Sequence, residues 1–209
     1  MSVYDIRSIT GVNMSITFLL LTVAPPLFGA AVGLLAGGRF SGFRAVSIRA
    51  LWLVWAAAAV QFLQYFVPGL ADLRLPLLGV VFALVLLWLA LNLPQWPSPI
   101  RIAGLVIVLG AALNAVVIGL NGRMPYSPPA AASVGLHPAT VTPKNTPAGH
   151  STRLAALGDT IPVPALHKVA SPGDVLISGG AAALVVLAMR RRTPPAGSHT
   201  RTRTAALAS

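Results

Sequence analysis

Five stretches of the chain are apolar without a single charged residue. They run from Ser15 to Val32 or slightly beyond, Ala50–Val67, Leu75–Leu93, Ile102–Leu120 and Val175–Met189. Each is apolar around the whole helical circumference, as lipid contact or burial within a bundle requires. Runs of roughly 17–25 such residues suffice to cross a bilayer as helix. Backbone groups find no water partners in hydrocarbon, so helices are the expected form. The pattern predicts an all-α integral membrane bundle with about five transmembrane helices, the short fifth being the least secure.

The polar stretches divide the rest. Residues 1–14 form an N-terminal extension, 15–120 carry four helices, 121–173 form a long loop, 174–190 the fifth helix and 191–209 a basic tail. The loop is rich in Pro, Ala, Ser and Thr. Pro128 to Gly149 reads as irregular chain. Thr152 to Asp159 reads as a short interfacial helix, with Ser151 or Thr152 as N-cap and Gly158 as its stop. The tail, with Pro194-Pro195-Ala-Gly-Ser, reads as disordered.

Composition agrees with a membrane location. Hydrophobic residues make up 56% and charged residues 9%, too few charges to clothe a water-soluble surface. The chain has no cysteine, which excludes disulfide and thiolate chemistry. The net charge of +11 would suit a nucleic-acid binder, but its distribution points to membrane topology. With five crossings, Arg39, Arg44, Arg49, Arg101, Arg190, Arg191, Arg192, Arg201 and Arg203 share one side. Arg7, Arg74, Arg123, Lys144, Arg153 and Lys168 occupy the other, with all four acids, Asp5, Asp72, Asp159 and Asp174. The positive-inside rule puts the first side in the cytoplasm. The N-terminus and the 121–173 loop are then extracytoplasmic and the C-terminus is cytoplasmic. Trp52, Trp88 and Trp96 near one boundary and Tyr65 and Tyr126 near the other fit interfacial belts. No nucleic-acid partner is expected; membrane lipids are, with Arg190, Arg191, Arg192, Arg201 and Arg203 lying against the anionic cytoplasmic surface. A cleaved signal peptide is the alternative reading of the first stretch, but Arg39, Arg44 and Arg49 follow it and hinder export. Met14 is an alternative start.

Several polar and small residues interrupt the apolar pattern. Gly29, Gly33 and Gly37 give two G-x-x-x-G steps, a smooth face for a helix–helix partner, either a second copy or another helix of the bundle. Pro25-Pro26 in the same helix predicts a kink. Gln61, Gln64 and Asn114 sit inside helices, in the outer half, as interhelical hydrogen-bonding groups or as the lining of a ligand site. Ser171-Pro172-Gly173-Asp174 has the form of a capping box with proline in the first turn. Asp159 has no such explanation and is a candidate ion-pair partner of Arg123 or Arg153. His137, His150 and His167 lack metal-ligand spacing, and no nucleophile elbow, P-loop or dinucleotide fingerprint is present. Neither a metal, a cofactor nor a catalytic residue is expected.

Taken in order, these motifs form a set: Gly38-Arg39-Phe40 and Arg49-Ala-Leu-Trp52, then Leu113-Asn114 with Asn121-Gly-Arg-Met-Pro125, then Thr152-Arg-Leu with Leu157-Gly-Asp159, then Ser171-Pro-Gly-Asp174-Val-Leu before the last helix. The set resembles a bacterial family of multi-pass membrane proteins classed as domain of unknown function 5317, over about residues 14–189. The resemblance implies topology and motif positions but no reaction. The N-terminal extension and the arginine-rich tail depart from it.

Three functional classes follow: a non-enzymatic accessory or scaffold protein, a binder or transporter of a small molecule, ion or lipid, and, least favoured, an outer-face enzyme using Asp159 or Asp174. The missing catalytic motifs favour the first. For the second, the expected site is a cleft where Gln61, Gln64 and Asn114 meet a rim of Asn121, Arg123, Asp159 and Asp174. Polar side chains in a membrane turn towards protein interior or a wet cavity.

Overall fold

The computed structural model describes residues 24–67, 73–142 and 144–191. Its helices are α1 (Ala24–Leu35), α2 (Trp52–Phe66), α3 (Arg74–Asn92), α4 (Ser98–Asn121), α5 (Pro128–Ser133) and α6 (Pro172–Met189). Helices α3, α4 and α6 are long and apolar enough to span a membrane. At about 1.5 Å per residue, the 24 residues of α4 reach beyond the roughly 30 Å of a hydrocarbon core. Helix α2, with 15 residues, falls short of it. The expectations for residues 1–14, for Ser15 to Val23 and for the tail from 192 to 209 fall outside the described residues. Pro25-Pro26 lies in the first described turn of α1, and the turn preceding it, on which the expected kink depends, lies outside them.

Two helix pairs build the bundle. Helix α4 packs on α6 and α2 on α3. The buried positions of α4 are Ile100, Ala103, Gly104, Gly110, Ala111, Asn114 and Val117; Gly104 meets Leu89, Leu93 and Trp96, and Gly110 and Asn114 meet α6. Glycines let the backbones meet. A Cβ added at Gly110 would sit 2.5 Å from the Gly173 carbonyl, and one at Gly180 2.9 Å from that of Ala103. These pairings make α4 and α6 antiparallel. Helix α1 runs parallel to α6, with Gly29 against Ala182 and Gly33 against Met189. The expected glycine face of α1 is thus occupied by α6 at two of its three positions. Gly37 is not on that face. It lies past the helix end at φ +74°, in a left-handed turn closed by Gly38 N–H donating to Gly33 O at 2.8 Å.

One end of the bundle gathers the arginines. The turn Phe40–Ala45 packs on the end of α6, and Val46, Leu89, Trp96, Ile100 and Ala188 form a core cluster there. Asn92 is fully buried at this end. Its Oδ1 accepts from Arg49 N–H at 2.8 Å, and its Nδ2 donates to Arg49 O at 3.0 Å and Trp88 O at 2.8 Å. That side chain ties the start of α2 to the end of α3. Trp96 does not sit in an interfacial belt. It is buried, donates from Nε1 to Ser47 O at 3.0 Å and meets Trp88 edge-to-face at 5.5 Å. Trp52 is exposed, as a belt residue would be.

Helix α6 begins at Pro172 and not at Val175, because the capping box starts it. Ser171 Oγ accepts from Asp174 N–H at 2.9 Å, and Asp174 Oδ2 accepts from Ser171 N–H at 3.0 Å. Both bonds satisfy donors that a helix start otherwise strands. Between Gly122, which ends α4 at φ 73°, and Ser171, the chain folds on itself as a small irregular layer.

Candidate functional site

The layer is organised around β1 (Met124–Tyr126), whose three residues are all buried. It pairs in parallel with β2 (Asn145–Pro147) and, on its other edge, bridges Asp159 through Tyr126. Two further strands, β3 (Ile161–Val163) and β4 (Lys168–Ala170), pair antiparallel. Pro128 to Gly149 is therefore not simply irregular. Ser127 caps α5, accepting from Ala130 N–H, and Pro128 and Pro129 occupy first-turn positions where a missing N–H costs nothing. The Thr152–Asp159 stretch forms a tight turn at Ala155–Leu157 with Leu154 at φ 53° in place of a cap, so Ser151 and Thr152 do not start it. Tyr126 points inward: its hydroxyl lies 2.8 Å from Thr140 O and 3.1 Å from Pro138 O, and it is buried rather than at a lipid boundary.

The residues expected to form one cleft separate into five places. The first is a closed ring where α4 meets α6. Asn114 Nδ2 donates to Asp174 Oδ1 at 2.8 Å, and Ser171 Oγ donates to Asn114 Oδ1 at 2.9 Å. Gly173 is pressed against the Asn114 amide with no room for a Cβ. Asn114 and Ser171 are buried, so this ring is a hydrogen-bonded polar contact between helices. The second place is a clamp. Asn121 Oδ1 accepts from Arg153 N–H and its Nδ2 donates to Arg153 O, both at 2.9 Å. The third is α2, which packs on α3 away from the ring. Gln61 lies there with a buried Oε1 that has no partner, and the side chains of Gln64 and Tyr65 are outside the described residues. The fourth is the solvent, where Arg123 and Arg153 are exposed.

Asp159 stands apart. Its N–H donates to Pro125 O and its carbonyl accepts from Ser127 N–H, both at 2.8 Å, which fixes the backbone on both sides. The preceding Gly158 lies against the Pro125 carbonyl, where no Cβ fits. The side chain enters a cavity of about 260 Å³ shared with Tyr126, His137, Thr142, Asn145 and Lys168. Its carboxylate takes Asn145 Nδ2 as partner, at 2.6 Å, instead of the expected Arg123 or Arg153. Burial, with a smaller push from the Asp174 charge, raises its pKa from 3.8 to about 7, against the opposing Asn145 bond and Lys168 charge. Burial also lowers Lys168, opposed by the charges of Asp159 and Asp174. The site can therefore exchange a proton near neutral pH and present a cation beside it. Among the described residues, no three His, Cys, Asp or Glu side chains gather to hold a metal ion.

Asn145 and Lys168 carried no signal in the sequence beyond their charge and polarity. Strand pairing between Met124 and Asn145 brings Asn145 to β1, and β4 brings Lys168 to the same cavity. The leucine-glycine-aspartate motif did point to Asp159.

The model of the family described as "Family of unknown function (DUF5317)" matches residues 45–186. The matched stretch includes the ring, the clamp and the cavity. No curated protein and no solved structure matches.

Proposed function

The chain belongs to DUF5317, a family of unknown function, and from that premise we propose that it is a membrane protein whose 122–171 layer captures a small organic anion with an apolar body. One observation carries the reading: Asp159 and Lys168, both shifted towards their neutral forms, line one cavity of about 260 Å³ with Tyr126, Leu136 and Val169. Other polar motif side chains are spent on structure. Asn114, Ser171 and Asp174 complete one another, and Asn121 holds the Arg153 backbone. Lys168 would pair with the anionic group, and the protonated Asp159 carboxyl would donate to it. The reading is one of capture, as in an accessory protein. A ligand-free role for the layer, holding the ends of α4 and α6 together, is favoured by the Asp159–Asn145 bond and is the competing reading.

The layer is read as extracytoplasmic and the C-terminus as cytoplasmic. The support is the positive-inside rule and the gathering of Arg39, Arg49, Arg101, Arg190 and Arg191 at the bundle end opposite the layer. Thermal unfolding of the purified chain with butyrate, hexanoate, benzoate and phenyl phosphate at pH 6 and pH 8 tests the capture. At least one probe should stabilise the chain at pH 6, less at pH 8, because a bound anion favours the protonated Asp159. Lys168→Gln should abolish that response. A response unchanged in Lys168→Gln, or none to any probe, would leave the structural reading standing.

A further inference from the structure

A second site lies at the other end of the bundle. The turn leaving α1 and the last turn of α6 enclose a cavity of about 650 Å³, lined by Gly37, Arg39, Ser41, Met189, Arg190 and Arg191. Its walls are held by backbone contact. Arg39 N–H donates to Met189 O at 2.8 Å, and a Cβ added at Gly42 would sit 2.5 Å from the Ala188 carbonyl. The Met189 carbonyl, part of the negative end of α6, is thereby capped by an amide. Three arginines line this cavity and, among the described residues, no carboxylate does: Asp159 and Asp174 lie at the opposite end. Arg190 and Arg191 also line a neighbouring cavity of about 280 Å³ with Pro99, Ile100 and Leu187. Beside the first cavity, Leu34 and Leu35 at the end of α1 and Phe40 in the following turn are exposed.

We propose that the Arg39–Arg190–Arg191 cavity is a binding site for the phosphate headgroup of an anionic phospholipid, whose acyl chains lie along α1. Planar guanidinium forks match phosphate oxygens in geometry and charge. The cavity sits where the apolar span of α6 ends, the level expected for headgroups, and Ala36 and Gly37 at the end of α1 line it. A soluble phosphate would use the same arginines but gain nothing from Leu34 and Leu35. This distinguishes the site from the general attraction of basic residues to an anionic leaflet, which needs no cavity and treats every arginine at that end alike.

The test uses the full chain in nanodiscs of phosphatidylcholine containing a minority of phosphatidylglycerol, extracted into detergent and weighed by native mass spectrometry. Wild type should retain phosphatidylglycerol selectively. Arg39→Gln, Arg190→Gln and Arg191→Gln should each weaken retention several-fold, and the triple variant by about tenfold or more. Arg44→Gln, an exposed arginine at the same end that does not line the cavity, should retain lipid as wild type does. Equal loss in Arg44→Gln would reduce the effect to net charge and overturn the proposal, as would retention unchanged in the three single variants. Inorganic phosphate at millimolar concentration should not displace the lipid; displacement would assign the cavity to a soluble anion instead. Circular dichroism confirms folding of each variant, and the single variants carry the result should the triple variant unfold.

Discussion

Replacing Asp159 by asparagine isolates one of the two side chains, with Lys168, whose charged form burial disfavours in the layer. In the folded chain its pKa is about 7, against 3.8 in the absence of burial. A raised folded-state value means that the carboxyl favours the folded state fully below pH 3.8. That contribution is lost as pH rises through about 7. At 1.36 kcal/mol per pH unit, the interval corresponds to about 4 kcal/mol of stability lost between acid and alkaline solution. An asparagine keeps an oxygen for the Asn145 Nδ2 donor and cannot ionise. At pH 8 the layer of Asp159→Asn should therefore be more stable than wild type by a few kcal/mol, and at pH 5 close to it. Amide hydrogen exchange read on peptides from β1, β2 and β4, with both proteins compared at the same pH, measures the difference directly. Greater exchange in the variant than in wild type at pH 8 would refute the reasoning, because the carboxylate would then be stabilising the layer through a bond the amide cannot make.

Gly173→Ala should destabilise the α4–α6 pair by about 1–3 kcal/mol through overpacking against Asn114, read as a lowered midpoint of thermal unfolding in detergent. Asn114→Ala leaves the Ser171 hydroxyl and one Asp174 oxygen without their shared partner and should cost about 1–3 kcal/mol in the same assay. The chain has no cysteine, so single cysteines at exposed Ala132 and Ser41 report sidedness cleanly. An impermeant thiol reagent on intact cells should label Ala132→Cys and spare Ser41→Cys, and the reverse would invert the topology. Removal of residues 193–209 should leave insertion and folding intact, checked by the yield of monodisperse protein.

The spanning helices were legible because their signal is local. An uninterrupted apolar run identifies α3 and α4 whatever they pack against, and the four residues of the Ser171–Asp174 capping box define the start of α6 among themselves. What depended on distant partners was not legible. Trp96 looks like any boundary tryptophan until Ser47 and Trp88 surround it. Tyr126 looks interfacial until Thr140 takes its hydroxyl. Asn92 sits at a helix end like many others, and only its fit to the Arg49 peptide 43 residues away shows its role. Of the expected cleft, Asn114 and Asp174 do meet, in a hydrogen bond to each other. Gln61 belongs to a different helix pair. The cavity around Asp159 is made by residues that local pattern does not rank, Asn145 and Lys168, brought in by short strands whose pairing no periodicity announces.

The ring between Asn114, Ser171 and Asp174 also sets an order of events during synthesis. Asn114 and Ser171 are 57 residues apart. At roughly 5–20 residues per second, Ser171 leaves the ribosome about 3–10 s after Asn114. Through that interval α4 carries the Asn114 amide and the close-contact position Gly110, whose partners on α6 have not been made. A nascent chain stopped within the 122–171 layer therefore exposes an unsatisfied amide and a poorly packed helix face to its surroundings, features by which membrane quality control can tell an unfinished copy from a finished one. Completion of α6 removes both in one docking event.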